Sequence, residues 1–296
     1  MEALQQTILK PIKFQGIGVH SGKEVTVRIL PAPENTGIVF KRTDLSENNI
    51  IEANYALVVE TRLCTVIANE FGAKVSTIEH ILSAFWGCGI DNATVEIDGE
   101  EMAIMDGSAA PFVALISKAG IKTQAAARKY LQITKPVVIE HEGKTIELHP
   151  HDEFSVECDI EFAHAAIGQQ AYTYNAAADS YNHLVSRART FGFAKDVEQL
   201  KQMGLARGAS LSNAVGIDDD GVMNPEGLRY KDEFVRHKIL DCIGDLYLSG
   251  YRILGKVVAS KAGHSLHNLI LRKLFAEPDC YNIFEMPVRI SKAKAL

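Results

Sequence analysis

Two stretches of the chain run to the same pattern, and that repetition constrains the fold more than any other feature. HSGKEVTVRILP from His20 and HEGKTIELHP from His141 both read His, any residue, Gly, Lys, an alternating run and then Pro. In the first, Val25, Val27 and Ile29 alternate with polar residues, the period of a strand with one buried face. GIVFKRTDL and ATVEIDG read similarly, and helical patterns follow in STIEHILSAFWG and SAAPFVALISKAG. After His141 the order repeats. Glu142 and Gly143 mark a hairpin turn, and Phe154, Val156, Cys158, Ile160 and Phe162 alternate strictly with polar neighbours. Helices are expected at Asp179 to Ser186, Lys195 to Met203, Lys231 to Leu248 and Ser265 to Phe275, with a strand at RILGKVVAS between the last two. Strands followed by helices, twice over, predict an α+β chain of two duplicated domains, each a mainly antiparallel sheet layered with helices. The polar, alanine-rich KTQAAARK separates them, so the expected domains are residues 1–122 and 129–296 with a linker at 123–128. The cleft between the copies is the natural site.

At 296 residues and 47% hydrophobic content the chain can bury the cores of two such domains. Its net charge of −6 and lack of a long basic run argue against recognition of nucleic acid through phosphates. The N-terminal MEALQQTILKPIKF lacks the features of a secretory signal, and no segment has the roughly 20 apolar residues of a membrane span. A cytoplasmic location without an integral membrane segment is therefore expected. Cys64, Cys88, Cys158, Cys242 and Cys280 are scattered and odd in number, with no CxxC pair, so they read as reduced thiols.

Two helical segments carry candidate chemistry. In STIEHILSAFWG, Ser76 and Glu79 have the spacing of a capping box. Ile78, Ile81, Leu82 and Phe85 cover one arc of that helix, while Thr77, His80 and Ala84 share another, which leaves room around His80. In GLRYKDEFVRHKILDCIGDLYLSG, Val235, Ile239, Cys242, Ile243 and Leu246 form one face, with His237, Asp241 and Asp245 opposite. Such a stripe can be a solvated face in which His237 and Asp241 make a minor i,i+4 pair. Alternatively, His237 and Asp241 point into a cleft and, joined by His80, supply three nitrogen and oxygen ligands. Three ligands leave one tetrahedral position for water, the arrangement of catalytic zinc, where water ionises near pH 7 instead of about 15.7.

Taken with their neighbours, these residues resemble the zinc-dependent UDP-3-O-acyl-N-acetylglucosamine deacetylases of lipid A synthesis in Gram-negative bacteria. The resemblance is carried by GIGVHSG, FKRTDL, STIEHILSAFWGCGIDN, IMDGSAAPFV, SRARTFGF, EGLRYKDEFVRHKILDCIGDLYLSG and GHSLHN, in that order over nearly the whole chain. It implies one catalytic Zn²⁺ on His80, His237 and Asp241, a donor set that can also accept Fe²⁺. It also implies Glu79 as general base, His264 as proton donor to the leaving amine, and Asp245 as the acid that orients His264. Lys238 and Thr190 match the groups that stabilise the oxyanion.

The implied substrate is a UDP-linked, 3-O-hydroxyacylated N-acetylglucosamine, processed by a monomer. The family's acyl passage falls on the segment holding Phe191, Phe193, Val197, Leu200, Met203, Leu205, Ala206 and Val215. Lys144 and Phe162 match positions near the nucleotide and sugar, and Cys64 completes the expected substrate contacts. Two positions depart from the family pattern: Ala165 replaces the proline of a His-Pro step, and Ala209 interrupts the usual Gly-Gly-Ser. A zinc hydrolase of another N-acyl sugar or amide, and a nucleotide-sugar or lipid-binding protein with a wet helix face, are the alternatives.

Overall fold

The computed structural model describes residues 2–286. The first unit runs β1 (Leu4–Ile8), β2 (Ile12–Ile17), β3 (Glu24–Pro31), β4 (Ile38–Arg42) and β5 (Ile50–Glu52). An insert of three short strands follows: β6 (Val58–Glu60), β7 (Val66–Ala68) and β8 (Lys74–Ser76). The unit closes with α1 (Glu79–Cys88), β9 (Ala93–Ile97), α2 (Ala110–Ala119) and β10 (Ile121–Ala127). The second unit repeats the sequence of elements: β11 (Lys129–Ile133), β12 (Val137–His141), β13 (Lys144–His149), β14 (Phe154–Glu161) and β15 (Gln169–Asn175). Its insert holds α3 (Tyr181–Leu184), β16 (Phe191–Phe193), α4 (Ala194–Gln202), β17 (Val215–Asp218) and β18 (Gly221–Val222). It ends with α5 (Glu233–Leu246), β19 (Arg252–Ser260), α6 (His264–Ala276) and β20 (Tyr281–Glu285).

The fold is α+β, and its duplication is topological. One sheet has the order β2-β3-β9-β4-β5, and the other contains β12-β13-β19 with β14 beside β19 and β15 beyond it. In each, the strand between the two helices lies antiparallel to β3 or β13 and parallel to β4 or β14, and β19 also runs parallel to β11 at its N-terminal end. The His-x-Gly-Lys echo marks β3 and β13, the same position in both sheets. β1 pairs with β10 as β11 pairs with β20, both antiparallel. The sheets are mainly antiparallel, as expected, with parallel pairs where a helical crossover returns the chain beside an earlier strand. At the β12–β13 hairpin, Glu142 and Gly143 both have positive φ, 50° and 72°, the conformation of a two-residue type I′ turn.

Residues 123–127 of the expected linker lie within β10, paired along β1. Arg128 is buried and donates to Asp91 and to the Gly89 carbonyl. The two units are therefore joined by an ordered strand.

The helices α1 and α5 pack against each other between the units. Every residue of α1 from Glu79 to Trp86 is buried, and so is every residue of α5 except Arg236 and Lys238. Gly244 allows this approach, since a Cβ there would collide with the Glu79 carbonyl oxygen. The solvated-stripe reading of α5 is thereby overturned: His237, Asp241 and Asp245 are 1%, 2% and 3% exposed. Periodicity separates apolar from polar faces but does not say whether a polar face meets water or a second helix.

The capping box also fails. Ser76 ends β8 and pairs with Glu100, Thr77 takes φ 57°, and α1 starts only at Glu79 with Ile78 at its N-cap. The Glu79 carboxylate is committed elsewhere. The helix expected over Asp179 to Ser186 is a single turn, α3, whereas α4, α5 and α6 fall within two residues of expectation.

Candidate metal centre

His80 comes from the first turn of α1, and His237 and Asp241 from successive turns of α5. The Nε2 atoms of His80 and His237 lie 3.6 and 3.3 Å from Oδ1 of Asp241, and the two rings stand edge to face with centroids 5.1 Å apart. His237 donates its Nδ1–H to the Ala188 carbonyl at 3.0 Å, which fixes the tautomer and leaves a lone pair on Nε2. Burial holds the His237 ring at about 3, against the pull of Asp241, so it is neutral at ordinary pH. Asp241 lies well below the usual carboxylate range: burial would raise it, but His237, Lys238 and His80 outweigh burial.

An imidazole lone pair and a carboxylate oxygen thus face each other without a proton between them. Asp241 Oδ1, on which both Nε2 atoms converge, is buried and lacks any hydrogen-bond partner, and Nδ1, the other ring nitrogen of His80, is likewise unpaired. Such convergence is costly unless a cation fills it. Bonds of about 2.0 Å at tetrahedral angles place ligand atoms about 3.3 Å apart, close to the spacing here. The three residues fit a divalent metal ion bound by two nitrogens and an oxygen.

A second buried cluster of titratable groups adjoins this trio. Glu79 Oε1 lies 4.0 Å from Nε2 of His264, the first residue of α6, and its Oε2 accepts from the Thr65 N–H at 3.1 Å. His264 donates from Nδ1 to Oδ2 of Asp245 at 2.6 Å. Burial alone would lower the His264 pKa, but Asp245, and then Glu79 and Asp241, hold it up to about 9. Asp245 is kept at about 2 by His264 and His267 in spite of burial. Burial raises the Glu79 carboxyl, partly offset by His264 and His80. One pocket therefore pairs a carboxylate made more basic with an imidazolium held protonated, the combination suited to general base and general acid.

The other expected residues fall into two groups. Lys238 donates to Oδ2 of Asp241 at 2.9 Å and lies 5.6 Å from the Phe191 ring centre, its ammonium stabilised by Asp241. Thr190 is held by backbone bonds to Gly107 and Val215 just before β16. Phe162 packs on Phe191 and Phe193, with centroids 5.7 and 6.1 Å apart, and Phe191 reaches His237 at 6.3 Å. Cys64 is buried beside Glu79, with its thiol pushed up to about 12 by burial and then by that carboxylate. α4 buries no side chain: Leu200 is half-buried and Met203 is 51% exposed. Ala206 and Val215 are buried, Val215 in the core opposite Phe191. Lys144 is exposed where β13 leaves its hairpin, and no ion pair among the described residues brings it to the cluster. Ala165 is exposed in the turn between β14 and β15, while Ala209 is half-buried after α4.

Three participants were not foreseen from the sequence: Thr65, His267 and the Ala188 carbonyl. His267 donates from Nδ1 to Asp245 Oδ2 at 2.7 Å. Its place three residues after His264 in one helix is the only signal the sequence offers for any of them.

A family model described as UDP-3-O-acyl N-acetylglycosamine deacetylase matches residues 5–276. The UDP-3-O-acyl-N-acetylglucosamine deacetylase of Geobacter sp. (strain M21) is 50% identical over 281 residues, covering 95% of this chain and 92% of the relative. The proteins of the same name from Citrifermentans bemidjiense and Shewanella frigidimarina are also 50% identical over 281 residues, covering 95% and 94% of this chain and 92% of each relative. The match spans both units and both helices of the site, and the chain belongs to the UDP-3-O-acyl-N-acetylglucosamine deacetylase family.

Proposed function

We propose that the chain is a zinc-dependent hydrolase that removes the N-acetyl group of UDP-3-O-(3-hydroxyacyl)-N-acetylglucosamine and releases acetate, a step of lipid A biosynthesis in the cytoplasm. The carrying observation is the buried convergence of His80 and His237 on Asp241 Oδ1, which has no hydrogen-bond partner, set beside the facing pair Glu79 and His264. Residues 1–122 supply His80 and Glu79, and residues 129–296 supply the rest. A bound Zn²⁺, or Fe²⁺ on the same ligands, would polarise the acetyl carbonyl and lower the pKa of water.

The remaining chemistry belongs to the side chains. Glu79 takes a proton from the attacking water, and His264, protonated through its contact with Asp245, delivers one to the leaving nitrogen. Lys238 and Thr190 share the negative charge that develops on the carbonyl oxygen. Phe162, Phe191 and Phe193 line the approach to His237, and the apolar side of α4, with Leu200, Ala206 and Val215 behind it, receives the acyl chain. Lys144 and Cys64 complete the substrate contacts at the nucleotide and at the base. Both halves of the site come from one chain, so no second copy is needed to complete it, which supports reading the enzyme as a monomer.

Metal content and hydrolysis of the acylated UDP-sugar, measured together at graded chelator concentrations, test the proposal. Activity should fall with bound metal and return on adding Zn²⁺. Full activity in metal-free protein would overturn it. Equal rates on UDP-N-acetylglucosamine lacking the 3-O-acyl chain would refute the substrate assignment.

A further inference from the structure

Thr65 immediately precedes β7 in the insert of the first unit, and it is 2% exposed. Its N–H donates to Glu79 Oε2 at 3.1 Å and its hydroxyl donates to Asp245 Oδ1 at 2.6 Å. Glu79 lies on α1 of the first unit and Asp245 on α5 of the second, so one residue bonds to a carboxylate from each. The hydroxyl has a single proton, and Asp245, kept ionised by its two histidines, is the partner that takes it. Asp245 then accepts three bonds: Thr65 on Oδ1, and His264 and His267 on Oδ2. Three donors fix the plane of the carboxylate, and through it the His264 ring whose Nε2 faces Glu79 at 4.0 Å.

We propose that Thr65 is a positioning residue that sets the separation between Glu79 and His264 by holding Glu79 with its backbone and the anchor of His264 with its hydroxyl. The inference rests on the roles of Glu79 and His264 proposed above. Threonine suits the task because its β-branch restricts χ1, so the hydroxyl is held in one direction.

The test compares Thr65→Val, Thr65→Ser, Glu79→Gln and His264→Gln as zinc-loaded full-length proteins on the acylated UDP-sugar. Valine keeps the shape and the backbone bond to Glu79 but removes the hydroxyl. Expected for Thr65→Val is a fall in kcat of about ten- to hundredfold, with KM within about twofold and zinc content unchanged. Thr65→Ser should recover most of the loss. The inference is overturned by a Thr65→Val kcat within about twofold of the parent, by a matching rise in KM or loss of zinc, or by a serine variant as impaired as the valine one. Retained activity in Glu79→Gln or His264→Gln sinks the underlying acid and base roles instead, which separates the two failures.

Discussion

Replacing Asp245 by Asn keeps the size of the side chain but removes the charge that His264 meets at 2.6 Å. The structure sets the size of the effect. His264 stands at about 9 against an ordinary 6.5, a difference of about 3 kcal/mol in favour of the protonated ring. Burial opposes that state, so without the carboxylate the ring falls to its ordinary value or lower. At about pH 8, the protonated share then drops from about nine-tenths to about 3%, a loss of about thirtyfold in the form competent to donate. The assay is kcat/KM across about pH 5.5 to 10 at matched metal content, where the basic limb reports the essential acid of the free enzyme. That limb should move towards acid by at least about 2.5 pH units. A bound cation lowers His264 in parent and variant alike, so the difference between the profiles remains. A basic limb left in place, with kcat/KM within about threefold of the parent at pH 8, would refute the pairing of Asp245 with His264 as the source of the proton.

Three further outcomes are expected. Alanine at His80, His237 and Asp241 together should abolish stoichiometric metal by elemental analysis, and it should remove the metal-dependent rise in Tm, which for the parent amounts to about 4 kcal/mol of stabilisation at a thousandfold excess over Kd. Glu79→Gln should retain the metal but lose at least about a hundredfold in kcat, because the amide cannot accept the proton from water. Arg189→Met should destabilise the fold by about 3–5 kcal/mol in urea denaturation. It strands Glu233, which is fully buried and receives both the Arg189 Nε bond at 2.9 Å and the Arg189 N–H.

Much of the architecture was legible because it rests on local patterns. The alternation in β14, the Glu142-Gly143 turn and the recurrence of His-x-Gly-Lys at β3 and β13 each record short-range geometry, and together they imply the duplication. The helix α5 was legible as a helix but not as an internal one. Its polar stripe looks the same in sequence whether Asp241 meets water or His80. The spacing of Ser76 and Glu79 pointed to a cap, yet the Thr77 backbone and the β8 pairing delay the helix and free Glu79 for Thr65. The ligand set came from resemblance. Thr65 and the Ala188 carbonyl left no sequence signal, because each acts through a bond to a residue far along the chain.

The duplicated topology has a symmetry consequence. Two separate copies of one unit would present identical helices at the interface, and any residue on one would be matched on the other. A cluster with Glu79 and His80 on α1, and His237, Asp241 and Asp245 on α5, has no two-fold symmetry and is unavailable to such a pair. Joining the copies through β10 lets the helices diverge while their sheets keep one strand order. It also keeps the partner half in the same molecule at every dilution, so assembly of the centre is independent of protein concentration.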